Sequence, residues 1–266
     1  MIDTIMSRKS VRTYDGKGLS LNEINDLKEY AKNTDSPFGI PAEIIFLEAD
    51  KYGLKSPVLS GVQIYAAGKT EVKPFADVSF GYVFEKFLLK AVSMGIGTVW
   101  IAGTMNRDAF EKAIELKDNE FMPAMSPLGH PAKRSLRENL MRKGVKADFR
   151  IEPSKLFFEG SFETPISKPL YSEMKECLET VRWAPSAVNK QPWRVVVSDG
   201  FFHFYEHHDK GYMLSNGMDL QKVDLGIAIC HFDMALNEKQ IPHEIIIDDP
   251  GIDLPDNTEY ICSFKI

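Results

Sequence analysis

The stretch APSAVNKQPWR (184–194) interrupts the regular pattern of the chain with two prolines and several short polar side chains. Proline ends a helix and lacks the amide hydrogen that a central strand needs, so the stretch is predicted to be an irregular loop. Its Ser, Asn and Gln side chains and its backbone groups offer the donors and acceptors that a heteroaromatic ring with carbonyls and ring nitrogens requires. A plain turn with capping Ser and Asn is the alternative that the pattern leaves open.

Regular elements are predicted on both sides of this loop. The apolar spacing of LYSEMKECLETVRWA (170–184) predicts a helix before it. After it, WRVVVSD and FFHFYEH are two predicted strands joined by Asp199-Gly200, a strong hairpin pattern. Farther along, we expect a helix at 220–238 and strands at 243–248 and 259–266.

The first part of the chain has the same order of elements. Ser20 followed by Glu23 is a capping box, which predicts a helix from about 21 to 33. The pattern then predicts strands at 43–49 and 61–68, a mostly apolar core helix at 75–94, a buried strand after a Gly-rich turn at 95–103, and a helix beginning near Arg107.

Matching elements of the two parts are offset by roughly 140 to 150 residues, which indicates an internal duplication. We therefore expect one half at 1–160 and another at 161–266, packed as a pseudo-twofold pair in the way that a homodimer packs. Residue identity between the halves is low. A shared α+β order without duplication is therefore the alternative.

The composition is that of an ordinary globular protein. The 266 residues are 44% hydrophobic and carry a net charge of −6, with a pI near 5.6, which argues against a nucleic-acid-binding surface. No stretch has the roughly 20 apolar residues that span a bilayer, and no signal peptide is predicted, so we expect a cytoplasmic protein that does not bind a membrane. Cys177, Cys230 and Cys262 fit no disulfide framework or CxxC motif and are expected to be buried free thiols.

Two further segments contain residues that packing alone explains poorly. RKSVR (8–12) places three cations and a hydroxyl within five residues, which suits a phosphate dianion, although a solvated surface turn is the alternative. The glycines of GIGTVWIAG (95–103) let the backbone approach a flat ligand, and the basic pair of GHPAKR (129–134) could complete an anion site.

Together, these three segments resemble the nitroreductase family of flavoproteins, which bind FMN and are usually obligate homodimers. The chain resembles in particular the branch in which two halves are duplicated in one chain. The resemblance covers nearly the whole sequence. It implies an α+β nitroreductase-like fold whose two α/β halves mimic the family homodimer.

The resemblance also implies which residues bind the cofactor. The basic segment would hold the FMN phosphate and ribityl chain, the P-S-x-x-N loop would touch the isoalloxazine ring, the segment after the Gly-rich turn would lie near N5, and a late basic pair would close on the phosphate. In that order, the residues are Arg8, Lys9, Ser10 and Arg12; Pro185, Ser186, Ala187, Asn189 and Gln191; Trp100, Ala102 and Gly103; and Lys133 and Arg134.

One complete site per chain is expected. The first half has NTDSPFGIPAE (33–43) where the second has the polar loop, and the second half has FETPISKP (162–169) and IPHEIIID (241–248) where the first has its basic and Gly-rich segments. We therefore expect one tightly bound FMN per chain and a second cleft filled by side chains. A monomer suffices for such a site, and further dimerisation is left open.

The function that the resemblance implies is ping-pong electron transfer from NAD(P)H to an electron-poor small molecule such as a nitroaromatic, quinone or enone. Two alternatives are a flavoprotein of the same fold with other chemistry, either flavin fragmentation or dehalogenation, and a non-catalytic flavin-binding protein. No residue is assigned a catalytic role, since Tyr65, Tyr82 and Tyr212 are weak candidates for a proton donor.

A metal site is disfavoured. His203, Tyr205 and His207 alternate onto one face of a predicted strand, and His208 adjoins them. Because no carboxylate or Cys lies at ligand spacing, an exposed strand face is the preferred interpretation.

Overall fold

The chain divides into two compact units. The computed structural model describes residues 1–266; the first unit comprises residues 7–147, and the second comprises residues 1–6 and 148–266. The division therefore lies at 147/148, not near 160 as the sequence predicts. The reason is that residues 157–159 form a strand that pairs in parallel with residues 195–197 of the second unit.

The first unit contains helices and a small antiparallel sheet. A short N-terminal helix, α1 (Ile2–Ser7), precedes this unit in the chain. Its elements are α2 (Leu21–Lys32), β1 (Glu43–Glu48), α3 (Ala49–Tyr52), β2 (Ile64–Glu71), α4 (Ala76–Ser93), α5 (Arg107–Ala113), β3 (Glu120–Phe121), β4 (Met125–Leu128) and α6 (Leu136–Gly144). Strand β2 is central, because β1, β3 and β4 all pair with it antiparallel.

Local chemistry explains the two main helices of this unit. The capping box is confirmed: the Glu23 N–H donates to Ser20 Oγ, and the Ser20 N–H donates to Glu23 Oε2 at 2.8 Å. Helix α4 is buried along nearly its whole length, as its apolar sequence predicts. Gly68 of β2 lets α4 approach the sheet, since a Cβ there would lie 2.5 Å from the Phe80 ring.

The segment 95–103 does not form the predicted continuous strand. Most of it is buried, but it makes only single bridges, which join Gly97 to Gly129, Thr98 to Ser10 and Ile101 to Met125. The Val99 N–H donates to the hydroxyl of Ser126 at 3.1 Å, where a ladder would use a backbone carbonyl. The prediction of a strand was therefore wrong, although the prediction of burial was correct.

The second unit contains a six-stranded sheet. Its elements are β5 (Phe157–Glu159), β6 (Ser161–Pro165), α7 (Lys168–Glu173), α8 (Lys175–Arg182), β7 (Trp193–Ser198), β8 (Phe201–His207), α9 (Leu220–Glu238), β9 (Glu244–Ile246) and β10 (Thr258–Lys265). The strand order is β6-β5-β7-β8-β10-β9, and only the β5–β7 pair is parallel. Helix α9 is mostly buried and contacts α8, β7 and β8.

The predicted hairpin of this unit is confirmed, and two other predictions need correction. Asp199 and Gly200 both have positive φ, 50° and 81°, as the tight turn of a two-residue hairpin requires. The predicted helix 170–184 is broken at Met174, whose φ of −100° and ψ of 13° lie outside helical geometry. The strand predicted at 243–248 is only three residues long, because β10 pairs with it at residues 263–265 alone.

The order of elements is repeated in the two units, as predicted. Each contains a helix, an antiparallel strand pair and then a long, buried helix: α2, β1, β2 and α4 in the first, and α8, β7, β8 and α9 in the second. The three cysteines are free and buried, which confirms that prediction. None of the helices combines the length and the apolar character needed to cross a bilayer.

Replacing Gly68 with Ala tests the close approach of β2 to α4. We expect Gly68→Ala to lower the free energy of unfolding by about 1–3 kcal/mol, because the new methyl group overlaps the ring of Phe80. Urea denaturation measures this change. Gly18→Ala is the matched control, since a Cβ at Gly18 meets no atom within 4 Å; equal effects of the two substitutions would contradict the packing argument.

Candidate functional site

The basic segment 8–12 lies beside the Gly-rich segment. Ser10 and Thr98 form a parallel bridge, and the Val11 N–H donates to the Thr98 carbonyl at 2.9 Å. A Cβ on Gly97 would lie 2.9 Å from Val11 Cγ1, so a glycine is needed for this approach. The fold thus brings together two of the segments that the sequence singled out.

Two arginines of the basic segment are buried with unsatisfied donors. The Arg8 side chain is 7% exposed, and the Nε atoms of Arg8 and Arg12 are buried without a hydrogen-bond partner. The buried hydroxyl of Thr98 also has none. Burial lowers the pKa of both guanidinium groups, because removing a cation from water is unfavourable. These donors form an incomplete polar site.

Glu85 of α4 is the carboxylate nearest Arg8. Its side chain is fully buried, and its Oε1 lies 3.9 Å from Arg8 Nε. Its Oε2 accepts the indole N–H of Trp100 at 2.6 Å, while the Trp100 ring packs edge-on against Phe84. Glu85 therefore fixes one residue of the basic segment and one of the Gly-rich segment.

Glu138 of α6 has the corresponding role at Arg12. This buried carboxylate attracts the Arg12 guanidinium and accepts the Thr13 hydroxyl at 2.9 Å. Arg142, one helical turn later, acts electrostatically on both Arg8 and Arg12 and lowers the pKa of each. The cluster thus contains three guanidinium groups and two carboxylates, and carries excess positive charge.

The other predicted cations lie at the surface. Lys9, Lys133 and Arg134 are exposed, and Arg134 Nε lies 3.7 Å from Glu138 Oε1. Arg142 was not predicted from the sequence. It follows Glu138 by four residues, which places both side chains on one face of α6, and this spacing could have identified it.

The turn after Trp100 is held by Arg107, which the sequence analysis also missed. Arg107 Nη2 donates to the Ala102 carbonyl and Nη1 to the Met122 carbonyl, both at 2.7 Å. Gly103 is exposed, and Ala102 is half-buried. The backbone at 102–103 is therefore accessible and has a fixed position in the first unit.

The polar loop 185–191 of the second unit has a strained backbone. Val188, Asn189 and Gln191 have φ values of 50°, 59° and 54°, a region that costs a residue with a side chain about 1–3 kcal/mol. Pro185, Ser186 and Ala187 are half-buried, whereas Val188 is 65% exposed. Backbone strain of this kind persists only where surrounding contacts hold it.

Several hydrogen bonds hold the loop. Asn189 Nδ2 donates to the Phe149 carbonyl at 3.0 Å, and buried Gln191 accepts the Ile151 N–H at 2.9 Å. Within the loop, the Gln191 N–H donates to Ser186 Oγ at 2.9 Å. The predicted ring-binding side chains thus also fasten the loop to residues 149–151, and their contact with a flavin stays a prediction.

Comparison with known proteins identifies the family. A family model described as "Putative TM nitroreductase" matches residues 1–236. The chain belongs to this nitroreductase family. No curated protein matches it significantly.

One solved structure has the same fold as this chain, and two others are similar to about half of it. A structure from Thermotoga maritima, described as a putative nitroreductase, has 19% identity and a TM-score of 0.61, and the match covers 99% of this chain and 92% of that one. An FMN-dependent nitroreductase from Clostridium difficile R20291 is 12% identical with a TM-score of 0.44, covering 51% of this chain and 90% of that one. Oxidized iodotyrosine deiodinase bound to FMN and 3-iodo-L-tyrosine is 15% identical with a TM-score of 0.43, covering 51% and 92%.

The three tyrosines considered as proton donors lie in different surroundings. Tyr65 packs in the core against Phe110, and burial raises its pKa to about 12. Burial also raises the pKa of the Tyr212 hydroxyl. Lys86 lies over the ring of Tyr82, which is buried in α4.

The histidines considered as metal ligands have different surroundings, and the strand face that carries His203 and Tyr205 is buried, not exposed as predicted. Buried His203 lies 2.7 Å from Ser263 Oγ. In contrast, His208 Nδ1 lies 3.2 Å from Glu206 Oε1 and 3.1 Å from Asp219 Oδ2. The expectation that no carboxylate lies near these histidines was therefore wrong for His208, because the fold brings in Asp219 from eleven positions away.

Replacing Glu85 with Gln tests the buried charge balance of the first unit. Gln keeps an oxygen for the Trp100 indole but leaves the Arg8 cation without its nearest carboxylate. We expect Glu85→Gln to lower the free energy of unfolding by about 3 kcal/mol in urea. Glu111→Gln is the control, because its i,i+4 pair with Arg107 is partly exposed and contributes about 0.5 kcal/mol or less. An equally small effect at Glu85 would contradict the proposed pairing.

Glu206→Gln tests the acid cluster through the pH dependence of stability. Burial and the charge of Asp219 raise the pKa of Glu206 to about 7, so the folded state retains a proton that the unfolded state has lost above its ordinary pKa. This contribution is complete at low pH and is lost as the pH rises towards 7. We expect wild-type stability to fall between pH 5 and pH 7.5 by roughly 2 kcal/mol more than that of Glu206→Gln. Parallel stability curves for the two proteins would show that Glu206 titrates normally.

Proposed function

We propose that the protein is an FMN-dependent oxidoreductase that transfers electrons from NAD(P)H to electron-poor small molecules by a ping-pong mechanism. The observation that carries this proposal is the pair of buried Nε donors of Arg8 and Arg12 beside the unsatisfied Thr98 hydroxyl. Family membership supports the same assignment.

The residues of the first unit fit the phosphate of FMN. A phosphate dianion offers several acceptor oxygens to guanidinium groups, and Arg8 and Arg12 have donors to spare. The half-buried Ser10 adds a hydroxyl next to them. Arg142 and the exposed cations Lys9, Lys133 and Arg134 strengthen the local positive potential. The excess positive charge of the cluster would be offset by the dianion.

The ring contacts in this proposal come from the family resemblance. They are assigned to Trp100, Ala102 and Gly103 of the first unit and to Pro185, Ser186, Ala187, Asn189 and Gln191 of the second. Backbone N–H groups at the first-unit positions can donate to ring carbonyls and stabilise negative charge. The fixed turn at 102–103 would present such groups, whereas the N–H groups of Ala187, Asn189 and Gln191 already donate within the second unit.

FMN, when bound, supplies the hydride chemistry, and the protein binds and orients it. The proposal includes one tightly bound FMN per chain and a monomer as the sufficient unit. It also includes a cytoplasmic location, which the three unpaired thiols support because reducing compartments keep cysteines free.

FMN binding is the first test. We expect about one FMN per chain in the purified protein, identified by mass after release. Arg12→Ala should weaken FMN binding by about 1.5–3 kcal/mol, or roughly 10- to 150-fold, because one charge-assisted contact is lost. Fluorescence titration of apoprotein measures this, with the exposed Arg137→Ala as control. No FMN binding by the wild type, or equal affinity in both variants, would contradict the assignment of the phosphate site.

Turnover is the second test. Oxidation of NADH or NADPH with a quinone acceptor should give parallel lines in double-reciprocal plots, as a ping-pong reaction requires. The rate should exceed that of the same concentration of free FMN. Stoichiometric FMN without such turnover would favour a non-catalytic flavin-binding protein.

A further inference from the structure

Asp224 is a buried acid that the proposed electron transfer does not use. It lies on α9 and is 5% exposed, and its two carboxylate oxygens accept the backbone N–H of Ala187 at 3.1 and 3.0 Å. The charged groups that shift its pKa are Asp219 and Glu206, both acids, and burial together with these two raises that pKa well above its usual value. Asp224 therefore is not held in place as the counter-ion of a buried cation.

The Asp224 carboxylate binds the polar loop at the residue just before its first residues with positive φ. Ala187 is followed by Val188 and Asn189, both with positive φ, and Gln191 repeats this conformation. Ser186 is extended, with φ of −144° and ψ of 161°, and a short 3-10 turn begins at Ala187. The hydrogen bond from Ala187 to Asp224 is therefore made at the first residue of this turn.

The other bonds to the loop come from a less regular part of the chain. Asn189 and Gln191 are tied to Phe149 and Ile151, which lie outside helices and strands. In contrast, α9 spans 19 residues and packs against α8 and β8. The Asp224 bond thus connects the loop to a rigid element of the second unit.

We propose that Asp224 is a positioning residue that holds the loop 185–191 in the conformation that meets the flavin ring, by accepting the Ala187 N–H. The flavin contact rests on the proposed function, whereas the hold on the loop does not. Asp224 touches neither cofactor nor substrate in this proposal and acts only through the backbone of Ala187.

Hydrogen exchange on the full-length apoprotein tests the hold on the loop. In Asp224→Ala, amide exchange in peptides covering 186–191 should accelerate at least 10-fold, while exchange in β8 and β10 changes little. Asp224→Asn keeps an acceptor oxygen and should restore protection to within about threefold of wild type. Asp233→Ala is the matched control, because Asp233 lies on the same helix but pairs with His243 at 2.8 Å; it should leave the loop unchanged.

FMN titration of the same proteins tests the link to the cofactor. The dissociation constant should rise about 10-fold in Asp224→Ala and remain near the wild-type value in Asp224→Asn and Asp233→Ala. Ala187→Pro removes the same bond from its donor side, at the first position of a turn where proline is tolerated, and should also raise the dissociation constant about 10-fold; it replaces Asp224→Ala in the test if that variant does not fold. The double variant should be no weaker than either single one.

Three results would overturn the proposal. Unchanged loop exchange in Asp224→Ala would show that the bond does not hold the loop. Acceleration spread evenly over α9, β8 and the loop would show a general structural role. Accelerated loop exchange with unchanged FMN affinity would show that the position of the loop does not matter for the cofactor. If wild-type protein binds no FMN at all, the proposed function fails, and exchange still decides whether Asp224 holds the loop.

Discussion

Burial of positively charged guanidinium groups is the constraint around which the first unit is organised. Removing a cation from water costs several kcal/mol unless hydrogen bonds and opposite charges compensate for it. Glu85 and Glu138 supply the charges, from two different helices. The Nε donors of Arg8 and Arg12 nevertheless have no partner, so protein groups alone compensate the burial incompletely. An anion that binds there therefore contributes to the stability of the first unit as well as to its chemistry.

The second unit is under a different constraint, which is backbone conformation. Three residues of the polar loop adopt positive φ, and none of them is glycine. Their side chains and the neighbouring backbone are held by Phe149, Ile151 and Asp224. The first unit thus has an unfavourable electrostatic term and the second has backbone strain, and both occur in the segments that resemble the cofactor site. Unfavourable features of this kind are common where binding requires a preorganised protein.

The sequence predicts elements well where the signal is local. The capping box at Ser20, the Asp199-Gly200 turn and the long apolar helices were all found because neighbouring residues determine them. Short strands such as β3, β4 and β5 were missed, since two to four residues contain too little periodicity to be recognised. The segment 95–103 was misjudged because a serine hydroxyl replaces a ladder carbonyl, and no local pattern shows this.

The candidate site was predictable in its segments but not in its supporting residues. The basic and Gly-rich segments stand out by composition, and the fold places them side by side through Ser10 and Thr98. Glu85, Arg142 and Asp224 are distant in sequence from the residues they affect. For Glu85, no neighbouring residue in the sequence distinguishes it from any other acid in a helix. Only the folded structure shows that it is fully buried beside a guanidinium group.

The duplicated order of elements gives the Asp224 contact a counterpart in the first unit. Ser79 lies near the start of α4, at an offset of 145 residues from Asp224 near the start of α9. The Ser79 hydroxyl donates to the carbonyl of Ile40, in the segment that precedes β1, as Asp224 accepts from the loop that precedes β7. In both units the long buried helix thus fastens the connection before the strand pair, but with opposite hydrogen-bond polarity. A hydroxyl is satisfied by one carbonyl without charge, whereas a carboxylate costs more to bury, so the carboxylate at this position of the second unit fits a requirement of the loop beyond folding.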